Sequence, residues 1–171
     1  PTPPSAWLQA ADDLSASSTE HRVLQLPGSE FGAFRWGYTV DPPLPGLTTK
    51  PLVTRDLLPL GSPGAMDLLY SLDDRMQAHT LDPEAIAVVA RYLGADTIWA
   101  ANDLAFDRFR TPRPEEISAL FRRQPTGLGA GISGLFRSDI RSTSRCMFDS
   151  DIRCMATRCS SPERNSDSAT A

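Results

Sequence analysis

The sequence predicts an α/β fold: a small mixed or parallel sheet with flanking helices, followed by a disordered C-terminal tail. Two short runs, Arg22–Leu26 and residues 97–101, have the β-branched, aromatic and aliphatic composition that is typical of strands. Apolar residues at helical spacing lie between them. A helix, a short glycine turn and a buried strand form the second half of a βαβ unit, so the two strands are candidates for parallel pairing.

Two helices are predicted before residue 80. The first covers residues 6–16, with Ser5 as its N-cap. The second begins at Ser62 and Pro63. Both have apolar residues spaced three and four apart, which indicates one buried face on each helix. These faces comprise Trp7, Leu8, Ala11 and Leu14 in the first helix and Ala65, Leu68, Leu69, Leu72 and Met76 in the second.

Two further helices are predicted nearer the end of the body. One begins at Asp82, an acidic N-cap that is followed by proline, and it ends at Gly94, the usual left-handed C-terminal residue. Another covers residues 114–123, with acids at its start and arginines at its end, which suits the helix dipole. The apolar face of the Asp82 helix consists of Ile86, Val89, Ala90 and Leu93.

Two segments between the first strand and the second helix lack helical periodicity. Residues 31–38 are aromatic and glycine-spaced, which predicts a loop or a short extended piece. In residues 41–63 prolines and glycines come too often for long regular structure. Long loops inside a domain are often functional or face a partner, so this segment is a candidate interaction region.

The composition changes near residue 129 and divides the chain into a body, residues 1–129, and a tail, residues 130–171. The body holds 14 of the 15 prolines and all three tryptophans, whereas the tail holds all three cysteines. The tail has little apolar periodicity and ends in a serine-rich polar run, so it is predicted to be disordered. An out-of-frame reading is a second hypothesis for the tail, and the coding DNA distinguishes it from a genuine segment.

Charge and hydropathy restrict the class of protein. The net charge of −4 gives no overall basic field that would favour nucleic acid or an anionic membrane surface. The longest apolar stretches, such as residues 85–90, are far shorter than the roughly 20 residues that span a bilayer. Because the chain opens on Pro1 rather than Met, we expect it to be a segment of a longer protein.

Familiar catalytic and cofactor motifs are not evident in the sequence. The cysteines, with spacings of eight and five, match no common zinc pattern, and residues 26–32 contain neither G-x-S-x-G nor G-x-G-x-x-G. We therefore predict no metal, no cofactor and no catalytic residue. Solvent-facing or capping roles are expected for the acid pairs and the histidines, which are Asp12 with Asp13, Asp73 with Asp74, His21 and His79.

Six residues are candidates for contact with a sugar. An aromatic face can stack on sugar C–H groups while an acid or arginine binds hydroxyls, and residues that follow the C-terminal end of a strand are well placed for ligands. The alternative for the aromatic residues is an anchor that fills the core, which is the commoner role. The candidates are Arg35, Trp36, Tyr38 and Asp41 in the aromatic segment and Asn102 and Asp103 after the second strand.

Several phrases of the body resemble a known family. They are RVLQLPGSEFGAFRWG at residues 22–37, KPLVTR at 50–55, GSP at 61–63 and YLGAD at 92–96. These segments are similar to actinobacterial alpha-(1,3)-arabinofuranosyltransferases, which are membrane glycosyltransferases of the GT-C superfamily. The resemblance extends over residues 5–129 and contains no catalytic motif.

The resemblance implies that the chain is a soluble extracytoplasmic segment of a cell-membrane enzyme. Such enzymes transfer arabinofuranose from decaprenyl-phosphoryl arabinose to cell-wall arabinan. Their catalytic acid is expected in an early loop near the first membrane helices, outside this chain, so no catalytic residue is assigned and the segment alone is expected to be inactive. The implied partners are the missing transmembrane domain, the polyprenyl-phosphate donor and the arabinan acceptor, with no nucleic acid.

Two roles for the segment remain open. In one, it is a structural or acceptor-framing part of the transferase. In the other, it is a non-catalytic glycan-binding or scaffold module of the cell envelope. Many apolar spans encoded upstream of Pro1 would favour the first role, whereas a lone secretion signal there would favour the second.

Overall fold

A mixed four-stranded sheet organises the part of the chain that the computed structural model describes, namely residues 1–16, 22–55 and 61–122 and the backbone of 155–158. A two-stranded hairpin packs beside it. In chain order the strands are β1 (Arg22–Leu26), β2 (Gly32–Phe34), β3 (Gly37–Val40), β4 (Leu52–Val53), β5 (Ala95–Ala100) and β6 (Met155–Arg158). The helices are α1 (Ser5–Ala16), α2 (Leu44–Leu47), α3 (Pro63–Gln77), α4 (Pro83–Tyr92), α5 (Phe106–Phe109) and α6 (Pro114–Arg122).

The sheet has the order β4-β1-β5-β6, and its first three strands are parallel. Val23 lies opposite both Leu52 and Thr97, so β1 is paired on both sides. The candidate parallel pair of the sequence is therefore confirmed as the centre of the sheet. Both strands are almost wholly buried, as expected for parallel strands that are covered on both faces.

The outer strands of the sheet were not expected from the sequence. Strand β4 is only two residues long and lies within the proline-rich segment. Strand β6 pairs antiparallel with β5, which makes the sheet mixed, and it lies inside the segment predicted to be disordered. The rest of the predicted tail, like the three cysteines and His21, lies outside the described residues.

Alternation along the strands divides the core into two halves. Leu24 and Ile98 face one cluster, whereas Val23 and Trp99 face the other. The first cluster is covered by α3, α4 and α6, and the second by α1, α2 and the β2–β3 hairpin. Helices and hairpin thus sandwich the sheet, as the predicted α/β class requires.

Two details of the predicted helices are wrong. Helix α1 begins at Ser5 itself, with the Pro4 carbonyl accepting from Trp7 N at 2.9 Å, so Ser5 is not its N-cap. Leu8 is 41% exposed because Trp7 turns into the core and the next residue lies about 100° around the helix; Ala10 is buried instead. At α4 the prediction is confirmed, since the Asp82 side chain accepts from Glu84 N at 3.0 Å.

The segment predicted to be a loop or an extended piece is a hairpin. In it Ala33 pairs with Tyr38 and Phe34 with Gly37, so Arg35 and Trp36 form the turn. Leu104, which follows β5, makes a further bridge to Phe34. This bridge places the hairpin next to the C-terminal end of β5. Within the described ranges, no helix is both long and apolar enough to cross a membrane.

Two glycines test the backbone requirement at the end of α4. Added Cβ atoms would meet no atom within 4 Å at Gly94 or at Gly64, but Gly94 has a φ of +70° and Gly64 lies in the first turn of α3. We expect Gly94→Ala to lower the free energy of unfolding by about 1 kcal/mol. Gly64→Ala should raise it by about 0.5 kcal/mol. Urea unfolding of both variants measures this, and equal effects would contradict the explanation.

Candidate functional site

Polar residues that follow three strands lie together at one edge of the sheet. Strands β1, β4 and β5 are parallel, so their C-terminal ends meet there. The residues that follow them are Gly28 to Glu30 after β1, Arg55 after β4, and Asn102 and Asp103 after β5. Open α/β sheets commonly place ligands at this edge. Two buried carboxylates, Asp103 and Asp73, hold the chain together here.

Asp103 joins three elements of the fold. Its Oδ2 accepts from Trp7 Nε1 at 2.7 Å and from Trp36 Nε1 at 2.6 Å. Its backbone carbonyl accepts from Arg35 N at 2.8 Å. The side chain is buried, with the residue only 1% exposed. Asp103 therefore ties α1 and the hairpin turn to the end of β5.

Aromatic rings surround this carboxylate. The Trp7 ring makes edge contacts with Phe34, Trp36 and Trp99 at centroid distances of 5.1, 5.8 and 5.0 Å. Phe34 and Trp36 are stacked, with centroids 4.8 Å apart and planes only 8° apart. Each such pair is worth about 0.5–1.5 kcal/mol beyond its buried area. One face of Trp36 is therefore occupied by the protein itself.

The structure separates the six candidate sugar-contact residues into three sets. Trp36 and Asp103 are bonded to each other, which fits the anchoring alternative for Trp36. Arg35, Tyr38 and Asp41 are exposed on the hairpin or just after it. The remaining candidate, Asn102, is half-buried, and its Oδ1 has no hydrogen-bond partner in the described part of the chain.

The second buried carboxylate corrects a prediction. Asp73 and Asp74 were expected to lie on a solvated helix face, where one acid of such a pair usually meets solvent; Asp74 is exposed, but Asp73 is only 7% exposed. Gly28 N lies 3.0 Å from Asp73 Oδ1 and 3.2 Å from Oδ2. The buried stripe of α3 includes Met66, Leu69 and Met76. Asp73 falls on that stripe by helical spacing, which is the signal that could have identified it.

Arg55, which sequence reasoning also missed, links this carboxylate to the β1 loop. Its Nε donates to Asp73 Oδ2 at 2.6 Å, its Nη1 to Glu30 Oε1 at 3.1 Å and its Nη2 to the Gly28 carbonyl at 3.2 Å. Its guanidinium also lies 5.0 Å from the Tyr70 ring centroid. A Cβ at Gly28 would lie 2.4 Å from Arg55 Cβ, so only glycine fits there. All three of these donor nitrogens are used by the protein.

Burial sets the electrostatics of this pair. Removal from water raises the pKa of Asp73 above its ordinary value, against the opposing effects of Arg55 and the Gly28 amide. Desolvation acts to lower the pKa of Arg55, but the carboxylates of Asp73 and Glu30 raise it overall. The pair thus carries a desolvation cost that its hydrogen bonds offset only in part. Its evident role is to fix the loop after β1.

The other candidate titratable groups lie at the surface. His79 is exposed, with Nε2 3.7 Å from Glu116 Oε1. Asp12 is exposed and Asp13 is half-buried, in keeping with a solvent-facing helix surface. Within residues 1–16, 22–55 and 61–122, no three His, Cys, Asp or Glu side chains gather in a way that could hold a metal ion.

Comparison with known proteins identifies the class to which this α/β segment belongs. The model of the family described as "Alpha-(1->3)-arabinofuranosyltransferase, N-terminal GT-C domain" matches residues 2–146, most of the chain and beyond residue 129. The chain therefore belongs to this family of GT-C glycosyltransferases. The GT-C class named in the family description is a class of membrane glycosyltransferases.

Relatives of this chain include the alpha-(1->3)-arabinofuranosyltransferases of Mycobacterium tuberculosis and Mycolicibacterium smegmatis. Each is 33% identical to it, over 115 and 112 residues respectively. The aligned part is 65% of this chain but only 8% of either relative. The chain thus spans a small fraction of the length of these relatives.

Solved structures agree with the fold. The cryo-EM structure of the arabinofuranosyltransferase AftD from mycobacteria matches with a TM-score of 0.70 and 24% identity, covering 94% of this chain and 12% of that one. A mutant of the same enzyme matches with a TM-score of 0.70 and 26% identity, covering 94% and 13%. A fold like that of this chain therefore occurs within the much larger chain of mycobacterial AftD.

The hydrogen bonds of Asp73 predict that its substitution destabilises the fold much more than substitution of the adjacent Asp74. Asp73→Ala removes the buried partner of Arg55, and we expect the free energy of unfolding to fall by about 3–5 kcal/mol. Asp74→Ala is the matched control, since Asp74 is exposed, and it should change stability by less than about 0.5 kcal/mol. Chemical denaturation of the 171-residue chain measures both. Similar effects would show that Asp73 contributes no more than a surface acid.

The Asp103 anchor predicts a coupled effect on the tryptophans. Asp103→Ala leaves two indole N–H groups without their acceptor, and we expect a loss of about 3 kcal/mol or more. Asp107→Ala, an exposed acid on α5, serves as the control. Thermal unfolding followed by tryptophan fluorescence reports both stability and the environment of the rings. An unchanged emission spectrum in folded Asp103→Ala would argue against the anchor.

Proposed function

We propose that this chain is a segment of a membrane arabinofuranosyltransferase that transfers arabinofuranose from decaprenyl-phosphoryl arabinose to cell-wall arabinan. The observation that supports this is the family match over residues 2–146. In this proposal the segment lies on the extracytoplasmic side of the cell membrane. Its partners are the transmembrane domain of the same protein, the polyprenyl-phosphate donor and the arabinan acceptor.

Within that enzyme, we assign the segment a structural role that frames the acceptor path. Trp36 is stacked on Phe34 and donates a hydrogen bond to Asp103. Asp103 itself is almost fully buried. Arg55 and Asp73 form a hydrogen-bonded ion pair. The most strongly held polar groups at the sheet edge therefore serve the fold, which suits a rigid wall beside a reaction carried out elsewhere in the protein.

A second candidate function is a glycan-binding or scaffold module that takes no part in transfer. The observation that favours it is the exposure of Arg35, Tyr38 and Asp41 on one hairpin, with half-buried Asn102 after β5. In that case these side chains would contact sugar hydroxyls and C–H groups directly. Trp36 and Asp103 would then act by positioning the hairpin.

The two roles predict different kinetics in the full-length enzyme. If the segment is a structural wall, Tyr38→Ala should leave the acceptor KM within about twofold of wild type, whereas Trp36→Ala should lower the melting temperature because it removes a stacked ring. If the hairpin binds glycan, Tyr38→Ala and Asp41→Ala should raise the acceptor KM without loss of folding. Measuring acceptor KM and melting temperature for all three variants separates the roles.

A further inference from the structure

One surface of the chain combines exposed apolar side chains with a cluster of arginines. Phe31, Tyr38 and Phe109 are each 42–45% exposed and Val40 is 71% exposed. They belong to the β2–β3 hairpin, the residue before it and α5. We call this surface the aromatic–arginine patch; its residues are Phe31, Tyr38, Val40 and Phe109 together with Arg35, Arg108, Arg110 and Arg113.

Ring contacts join three of the apolar residues of the patch. The Phe109 ring lies with its centroid 6.4 Å from that of Phe31 and 6.4 Å from that of Tyr38, so α5 packs beside the hairpin. Val40 ends β3 with a φ of 66°, a backbone conformation that β-branched residues rarely adopt. This conformation places a large apolar side chain in solvent at the end of the hairpin. Exposed apolar side chains that lie together commonly mark an interaction site.

One arginine is held against a ring of the patch, and two others lie over the ring of the neighbouring, half-buried Phe106. Arg108 Nη1 donates to the Tyr38 hydroxyl at 2.6 Å, and its guanidinium lies 5.2 Å from the Tyr38 ring centroid. The guanidinium groups of Arg35 and Arg113 lie 5.6 and 5.0 Å from the Phe106 ring centroid. Arg110, next to Phe109, is exposed in the left-handed conformation.

The patch has a charge opposite to that of the whole chain. Within residues 31–41 and 106–113 the four arginines outnumber the two acids, Asp41 and Asp107, which leaves an excess of two positive charges. Glu30, which directly precedes Phe31, is paired with Arg55. The chain as a whole carries −4. Charge complementarity therefore favours an anionic partner at this surface.

The geometry favours a lipid surface over a sugar. Arg108 covers one face of Tyr38, and Arg35 and Arg113 lie over Phe106, so guanidinium groups compete with a stacked sugar for these ring faces. Aromatic side chains at the level of lipid headgroups, flanked by arginines, are the usual anchors of proteins at a membrane interface. Arginine also pairs well with phosphate oxygens.

We propose that the aromatic–arginine patch rests on an anionic phospholipid bilayer. Phe31, Tyr38, Val40 and Phe109 would enter the headgroup region while the arginines bind lipid phosphates. The proposal rests on the proposed function only in that the parent is a membrane enzyme. It orients the segment, because it places the hairpin and α5 toward the bilayer, and it is independent of the transfer chemistry.

Vesicle flotation with the purified 171-residue chain tests this proposal. Binding is measured to phosphatidylcholine vesicles and to mixed phosphatidylcholine–phosphatidylglycerol vesicles. Two patch variants are compared, Arg108→Glu with Arg110→Glu and Phe31→Ser with Phe109→Ser. The matched control is Val88→Ala with Tyr92→Ala, which removes two exposed apolar residues from α4 on another element. Circular dichroism verifies that each variant folds.

We expect binding to the anionic vesicles, and each patch variant should bind about tenfold or more weakly, since each arginine near such a surface contributes about fivefold. Higher salt should weaken the binding of wild type, and the control pair should bind like wild type. Equal binding to both vesicle types, no binding to either, or an equal loss in the control pair would overturn the proposal.

A parallel binding measurement with soluble arabinan tests whether the patch binds a glycan instead of a bilayer. If arabinan binds the chain and both patch variants abolish that binding while vesicle binding is absent, the patch is a glycan site and the lipid proposal is wrong. Failure of the lipid proposal leaves the transferase proposal intact, because that proposal depends on the activity of the full-length enzyme. The Arg108 and Arg110 variant, which removes no ring, provides a result even if the Phe31 and Phe109 variant does not fold.

Discussion

The buried carboxylate of Asp103 is the constraint on which one side of this fold depends. It accepts from two indoles, one on α1 and one in the hairpin turn, at 2.7 and 2.6 Å. A carboxylate that is removed from water must be paired or hydrogen-bonded, and these N–H groups meet that requirement in part. The stacked and edge-on rings around it then assemble about a fixed point. Without Asp103, α1 and the hairpin would lose this shared acceptor, and the apolar contacts between them orient elements less strictly.

On the opposite side of the sheet a second buried carboxylate, that of Asp73, is also hydrogen-bonded, but to different donors. Asp73 accepts from Arg55 and from the Gly28 amide, which joins α3 to the loops after β1 and β4. The two carboxylates thus fix the C-terminal edge of the parallel strands from both faces. Buried polar groups of this kind commonly rigidify the elements that they join. This firmly held sheet edge is the basis of the supporting role that we propose for the segment.

Local organisation also changes what the overall charge implies. A net charge of −4 gives no reason to expect an anionic partner. Yet the fold places Arg108 against the exposed Tyr38 ring and leaves Arg110 exposed beside Phe109. Arg35 and Arg113 lie over the ring of half-buried Phe106. These arginines come from two stretches that are about 70 residues apart in sequence. The fold thus gathers these positive charges at one surface, although the net charge of the chain is negative.

The sequence by itself determined the α/β class, the two central strands and the cap and end of α4, because these depend on local periodicity, on the Asp82 cap and on the glycine at position 94. It also carried the family resemblance. Only the tertiary structure decided the edge strands, the burial of Asp73 and the pairing of Trp36 with Asp103. Strands β4 and β6 are too short to show a pattern, and their pairing depends on neighbours distant in sequence. An aspartate on a helix looks the same in sequence whether it meets solvent or an arginine, since only packing sets which face is covered.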